Sequence, residues 1–275
     1  FFEDGMAEDI NKKGMHNGFE TLVKAIEELA GNKVDLSSLS KKDDVATLRA
    51  MDAKRASIEL AKERLENHKS FVNSIYESKK VLPDNNFEKA VRDEMNKDAI
   101  AVAKSFCYMA FLSGQFSAAP PLFLLQGPAG TGKTYICNCI ANEVLNKKFK
   151  DVEICDYSQI KKARVPSQAD TSYDIEAKNK SWQRFISVDL LILDGLCKNN
   201  EALTAYDRQV FPELLRVRRA NNLPMVITTP LHPTMMHNHL GDECFEALKD
   251  YSVLTAALFG TSRRQPILFG GARLN

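Results

Sequence analysis

Eight residues constrain this chain more than any others: Gly127-Pro128-Ala129-Gly130-Thr131-Gly132-Lys133-Thr134, a complete GxxxxGK[ST]. The motif has its chemistry only between a buried strand and a helix. The glycines let backbone N–H groups turn inward around a phosphate, and the following helix adds its positive N-terminus. Both neighbours are present. Leu122-Phe123-Leu124-Leu125 is a short uninterrupted apolar run, the pattern of a strand covered on both faces of a parallel sheet, and a helical run from Tyr135 to Asn146 follows. The reading is a nucleoside triphosphate site formed by Gly127 to Tyr135. In it Lys133 supplies a point charge, and the Thr134 hydroxyl is a ligand for Mg²⁺.

A parallel sheet needs further strands. Apolar runs recur at Val152–Cys155, Leu190–Leu193, Met225–Thr228 and, more weakly, Pro266–Phe269, and helical stretches separate most of them. The expected fold is therefore α/β, a doubly wound parallel sheet. The run from Leu190 ends in Asp194, an acid placed to hold the Mg²⁺ water shell; with Lys133 and Thr229 it completes the expected catalytic set. Gly195 follows, where a hydrolysing site commonly carries a glutamate to activate water. Glu201 and Asp207 are near in sequence but read better as solvated acids. Introducing Glu at 195 should raise ATP turnover if the base alone is missing. Thr229 ends the strand Met225–Thr229 and is the sensor candidate for the γ-phosphate.

Upstream, Asp44 to Ser78 carries Val45, Leu48, Met51, Ile58, Leu65, Val72 and Ile75, mostly three, four or seven apart, as in an amphipathic helix or helical hairpin. An earlier helix is expected over Phe19 to Leu29, with a linker at Gly31-Asn32 and Ser37-Ser38. Pro83 and the Asp84-Asn85-Asn86 run mark a break. The expected organisation is an N-terminal helical domain over 1–80 and an ATPase domain over 81–275, its first helix spanning Glu88 to Leu112. Positions 1–80 hold 14 basic and 15 acidic residues, so nothing in their charge argues for nucleic acid, and the whole chain's formal charge of +1 argues against a histone-like or polyanionic tail. Six cysteines without a CxxC pair read as buried hydrophobes rather than a disulfide or zinc framework. His232, His237 and His239, near Asp242 and Glu243, read as a loop rather than a metal site. No apolar run has membrane-helix length, and residues 1–10 carry four acids, so a cytoplasmic location is expected.

Beyond the loop, Phe87-Glu88, Ala141-Asn142-Glu143-Val144-Leu145, Val188 to Asp194, the run Arg208 to Arg219 and Asn222-Leu223-Pro224 together resemble the AAA+ family that includes the replicative-helicase loaders DnaC and DnaI and the transposition ATPase IstB. The resemblance spans about Arg49 to Pro230. It implies an AAA+ P-loop ATPase domain behind a helicase-gripping helical domain. ATP and Mg²⁺ are its implied cofactors. The implied partners are a DnaB-type hexameric helicase, single-stranded DNA and further copies of the chain in a ring or spiral, with no membrane. Lys161, Lys162, Arg164, Lys178, Lys180 and Arg184, interleaved with Tyr157, Tyr173 and Trp182, are candidate DNA contacts. Arg263, Arg264 and Arg273 add charge near the end.

Two departures bear on turnover. Members of the family commonly carry an arginine after the sensor strand that reaches a neighbour's γ-phosphate; here Leu240 to Cys244 has none. Arg216, Arg218 and Arg219 are the candidate replacements. With Gly195, this implies slow hydrolysis and fits a phage or mobile-element member. A transposition ATPase and a non-hydrolysing nucleotide-binding helicase inhibitor or scaffold remain as alternatives.

Overall fold

A computed structural model describes residues 45–111, 119–148, 150–165, 167–264, 267–269 and 272–274. The predicted helix over Phe19 to Leu29 and its linker lie outside them. Helix α1 runs Val45–Glu77 as one 33-residue element, not a hairpin. Nothing in its sequence breaks it, because Gly and Pro are absent. The chain divides into compact units between Leu65 and Glu66, inside this helix. In the first unit, Met51 (50% exposed), Ile58 (48%) and Leu65 follow one another at intervals of seven and are all solvent-exposed. In the second, Val72 and Ile75 are buried.

The second unit holds α2 (Lys97–Phe111), β1 (Pro121–Gln126), α3 (Lys133–Lys147), β2 (Val152–Cys155), α4 (Tyr157–Arg164), α5 (Ser172–Ser187), β3 (Leu190–Asp194), α6 (Asp207–Ala220), β4 (Met225–Thr229), α7 (Pro233–Leu240), α8 (Asp242–Lys249) and β5 (Ser252–Ala257). Five parallel strands are ordered β2-β3-β4-β1-β5. Alternation along β1 explains why its run had to be apolar throughout. Leu122 and Leu124 join one core with Tyr157, Ile160, Trp182, Phe211 and Leu214, while Phe123 and Leu125 join the opposite core with Ile100, Phe106, Ile140 and Val144. Each such side chain contributes about 1.5–3 kcal/mol on burial. The fold is thus α/β and doubly wound.

The structure corrects three sequence expectations. The helix expected from Glu88 begins only at Lys97. The Asn86 side chain accepts from the Glu88 and Lys89 amides, and the Asp93 side chain accepts from Met95, so short polar side chains take the backbone bonds a helix would need. The fifth strand of the sheet is Ser252–Ala257, not the run beginning at Pro266. Ile267–Phe269 (β6) instead pairs antiparallel with Ala272–Leu274 (β7) in a separate two-stranded sheet. The histidine stretch is helical rather than a loop. His232 caps α7 by accepting from the Thr234 amide, Pro233 opens the helix, and His237 pairs with Asp242. No group of metal-ligating residues occurs among the described residues. All six cysteines are buried and unpaired, and burial pushes the Cys244 and Cys197 thiols up to about 11.

Three asparagines one turn apart on α3 fix the P-loop helix to the segment before α2. Asn138 accepts from the Leu82 amide. Asn142 donates to the Leu82 and Asn85 carbonyls and accepts from the Tyr76 hydroxyl, to which Asn146 donates. Asn138 and Asn142 are buried but bonded, as burial demands, and Asn146 extends the row at the exposed end. Among the described residues no helix is long and apolar enough to cross a membrane.

Candidate functional site

The strands' C-terminal ends and the loop after β1 form one cavity of about 930 Å³, large enough for a nucleotide. Its lining includes Ala129 to Tyr135, Asp194, Gly195, Lys198, Thr228 and Arg264. The loop before α3 requires glycine where it touches the rest of the fold. Gly127 has φ +146°, and a Cβ there would stand 2.6 Å from the Leu258 carbonyl oxygen. Gly127 also donates its amide to Thr229 O at the end of β4, which pins the loop to the sheet.

Inside the loop, Lys133 Nζ donates to the carbonyls of Gly127 (2.6 Å) and Pro128 (2.8 Å). Burial lowers the pKa of this ammonium, and Asp194 opposes the shift. Thr134 Oγ1 donates to Asp194 Oδ2 at 2.8 Å, so the two expected metal ligands are in contact. A second hydroxyl completes the group: Thr228 Oγ1 donates to Asp194 Oδ1 at 2.7 Å. Carboxylate and hydroxyl oxygens suit a hard cation such as Mg²⁺, and the glycine cradle suits a phosphate chain. Thr134 and Asp194 would hold the ion, and Lys133 with the loop amides would hold the phosphates.

Of the two threonines that end β4, it is Thr228 and not the expected Thr229 that meets Asp194. Thr229 is fully buried, its hydroxyl accepts from the Leu231 amide, and it faces away from Asp194. Thr228 occupies the place expected of Thr229, because alternate strand residues point to opposite faces. Arg263 and Arg264 also belong to the cavity. The segment after β5 returns over the loop, with Arg263 N donating to Gly130 O and its guanidinium paired with Asp93.

Of the three candidate trans arginines, Arg218 is excluded. It is 0% exposed and donates to the carbonyls of Phe185, Val188 and Pro224. Arg216 is exposed and pairs with Glu243; Arg219 is exposed, and neither lines the cavity. The candidate DNA contacts are largely engaged within the fold. Lys161 pairs with Asp207, Arg164 with Glu213, Lys178 with Asp170, and Arg184 with Asp151 and Glu153. Lys162 and Lys180 are both exposed. Trp182 and Tyr157 are buried, so neither offers a stacking face to a base; Arg164 lies over the Trp182 ring instead. Tyr173 is exposed. Asp207 also accepts from Thr204 at the head of α6 and lines no part of the cavity.

At position 195, φ is +101° and an added Cβ would run into the Lys198 methylenes. Gly195→Glu is therefore expected to lose about 1–2 kcal/mol of stability, because a β-carbon is forced into the left-handed region. It should leave ATP turnover unchanged, because the new carboxylate emerges beside the Lys198 ammonium. Urea midpoints and phosphate release read the two effects, and a clear rise in turnover would show that a missing base was the sole defect.

No protein-family model and no curated protein matches the sequence. Among solved structures, a DNA replication initiation factor aligns at 19% identity over 64% of this chain and 50% of its own, with a TM-score of 0.50. The replication initiator DnaA bound to AMPPCP and single-stranded DNA aligns at 20% identity over 66% and 53%, with a TM-score of 0.51. A structure of DnaI aligns at 22% over 66% and 92%, with a TM-score of 0.48. The chain spans about half the length of the first two. At these identities the likeness is one of fold, that of the AAA+ ATPase domains.

Proposed function

We propose that this chain, an ATPase domain of the AAA+ fold preceded by helical sequence, is an ATP-switched replicative helicase loader. In this reading it binds a DnaB-type hexamer and helps deliver it to single-stranded DNA during replication initiation. The observation that carries the nucleotide part is the contact of Thr134, Asp194 and Thr228 beside the glycine cradle. The sequence resemblance to the loaders supports the remainder. So does the structural likeness to an initiator described as bound to AMPPCP and single-stranded DNA. The exposed residues Met51, Ile58 and Leu65 on α1 supply an apolar stripe suited to a protein partner. The domain assignment over 1–80 and 81–275 belongs to this reading.

ATP supplies binding energy and a scissile terminal phosphate. The chain's own part is to orient that phosphate with Lys133 and the loop amides and to hold the ion's ligands in register through Thr134 and Asp194. No carboxylate stands at 195 to activate water, which favours a slow switch over rapid turnover.

The test mixes the full chain with the host's replicative helicase, with and without ATP and Mg²⁺, and weighs what co-elutes. A complex that forms with the parent and is lost with Met51→Glu/Ile58→Glu/Leu65→Glu is the expected result. Absence of any complex in every nucleotide state would reject the loader reading, and filaments on duplex DNA would favour the transposition ATPase.

A further inference from the structure

The loop leaving β3 places a lysine where the general base is missing. Leu196 donates its amide to Thr228 O at 2.7 Å, and the Leu196 and Cys197 side chains are buried, so the start of the loop is anchored to the sheet. Cys197, Asn199 and Asn200 then all have left-handed φ (54°, 59° and 60°), which folds the chain back on itself. Such backbone is unfavourable for a cysteine and persists only where its surroundings hold it. The result is that the Lys198 methylenes lie over Gly195, next to Asp194, and Lys198 lines the nucleotide cavity.

Its ammonium is held by the Asp156 carboxylate, at the end of β2. Asp156 is also the N-cap of α4, accepting from the Ser158 amide and completing a reciprocal cap with Gln159. Burial alone would raise its pKa, but the bonds from Lys198 and Ser158 outweigh that and leave it below the usual carboxylate range. Two features make the ion pair exchangeable. The Lys198 side chain is 55% exposed, and an ion pair in that setting contributes little to stability. Asp156 also keeps its amide donors when the lysine leaves. Of the other cations around the cavity, Lys133 sits within the P-loop on the Gly127 and Pro128 carbonyls, Lys89 pairs with Asp84 and Arg263 with Asp93, and Arg264 stands on the segment that returns over the P-loop.

We propose that Lys198 is a γ-phosphate ligand, drawn from Asp156 when a nucleoside triphosphate enters the cavity and returned to it when the terminal phosphate is absent. The inference rests on the reading of this cavity as an ATP site. It deepens that reading by making one side chain report the third phosphate. An ammonium donating to phosphate oxygens forms charge-assisted hydrogen bonds, stronger than its partly hydrated pair with Asp156. A lysine at this place also accounts for glycine at 195, since any side chain there would block its path.

The test titrates full-length parent, Lys198→Ala, Lys198→Arg and Asp156→Asn with Mg·ADP and with the Mg complex of a β,γ-non-hydrolysable ATP analogue, by calorimetry. Lys198→Ala is expected to weaken the analogue about tenfold while ADP stays within about twofold. Lys198→Arg should retain most of the analogue affinity. Asp156→Asn keeps the helix cap, because asparagine caps as well as aspartate. It should strengthen the analogue by about threefold by removing the competing carboxylate. Equal weakening of both ligands in Lys198→Ala, or weakening of neither, overturns the inference and leaves the ATP reading intact. A parent that binds neither ligand overturns both.

Discussion

Arg218→Met is expected to lower the unfolding free energy by about 3–5 kcal/mol, the largest stability effect of any substitution considered for this chain. Arg218 is fully buried and has no carboxylate partner among its hydrogen bonds. Its acceptors are three carbonyls: Phe185 in the last turn of α5, Val188 just beyond, and Pro224 before β4, at 2.8–2.9 Å. A helix's last carbonyls lack partners within the helix and carry the negative end of its dipole, so a cation there is favourable twice over. Burial lowers the guanidinium pKa to about 10, yet it stays protonated at neutral pH. Methionine fills much of the volume but leaves three carbonyls in an apolar core without donors. Urea unfolding at pH 7 measures the loss. Arg218→Lys, with the charge but not the planar fork, should fall between parent and Met. A change below about 1 kcal/mol for Arg218→Met would mean that water replaces the guanidinium and that the site is less closed than its geometry implies.

Lys133→Ala should weaken ATP binding by about a hundredfold or more while altering folding stability by less than about 1 kcal/mol. The separation of the two effects is the informative part. Lys133 Nζ is bonded to the Gly127 and Pro128 carbonyls, both on a loop open to the cavity, so water can replace it there at little cost. Phosphate oxygens, by contrast, would lose a charged donor that water does not replace. Calorimetric titration with Mg·ATP and a parallel urea melt would read both. If affinity survived the substitution, the glycine loop would be a turn and not a phosphate cradle, and the nucleotide switch would fall with it.

What the sequence disclosed follows the range over which each feature is determined. The loop Gly127 to Thr134, the strands flanking it and Asp194 are specified by neighbours in the chain, and they were legible. Thr228 was not distinguishable from Thr229, since that choice depends on which face of β4 meets β3, a pairing made between strands far apart in sequence. Arg218 read as one of a surface trio because three arginines in four positions look solvated. Its burial depends on α5 and on the approach to β3, 33 and 30 residues away. The basic residues from Lys161 to Arg184 looked like a nucleic-acid face for the same reason, because their acidic partners Asp207, Glu213, Asp151 and Asp170 are mostly distant in sequence. Ser252–Ala257 escaped notice because an edge strand alternates partly exposed and exposed positions and lacks a continuous apolar run. Lys198 carried no sequence signal at all; the left-handed turns that fold it over Gly195 are visible only in three dimensions.

The asparagine contacts along α3 give the nucleotide cavity two walls of unequal stiffness. On one side the P-loop helix is clamped along much of its length to Tyr76, Leu82 and Asn85 by side-chain bonds. On the other, the loop from Gly195 to Asn200 is tied at its root and, further out, by a single ion pair. A ligand pressing on both walls moves the softer one. The P-loop side is then expected to behave as a stator, with displacement on binding carried by Lys198 to Asp156 and the head of α4.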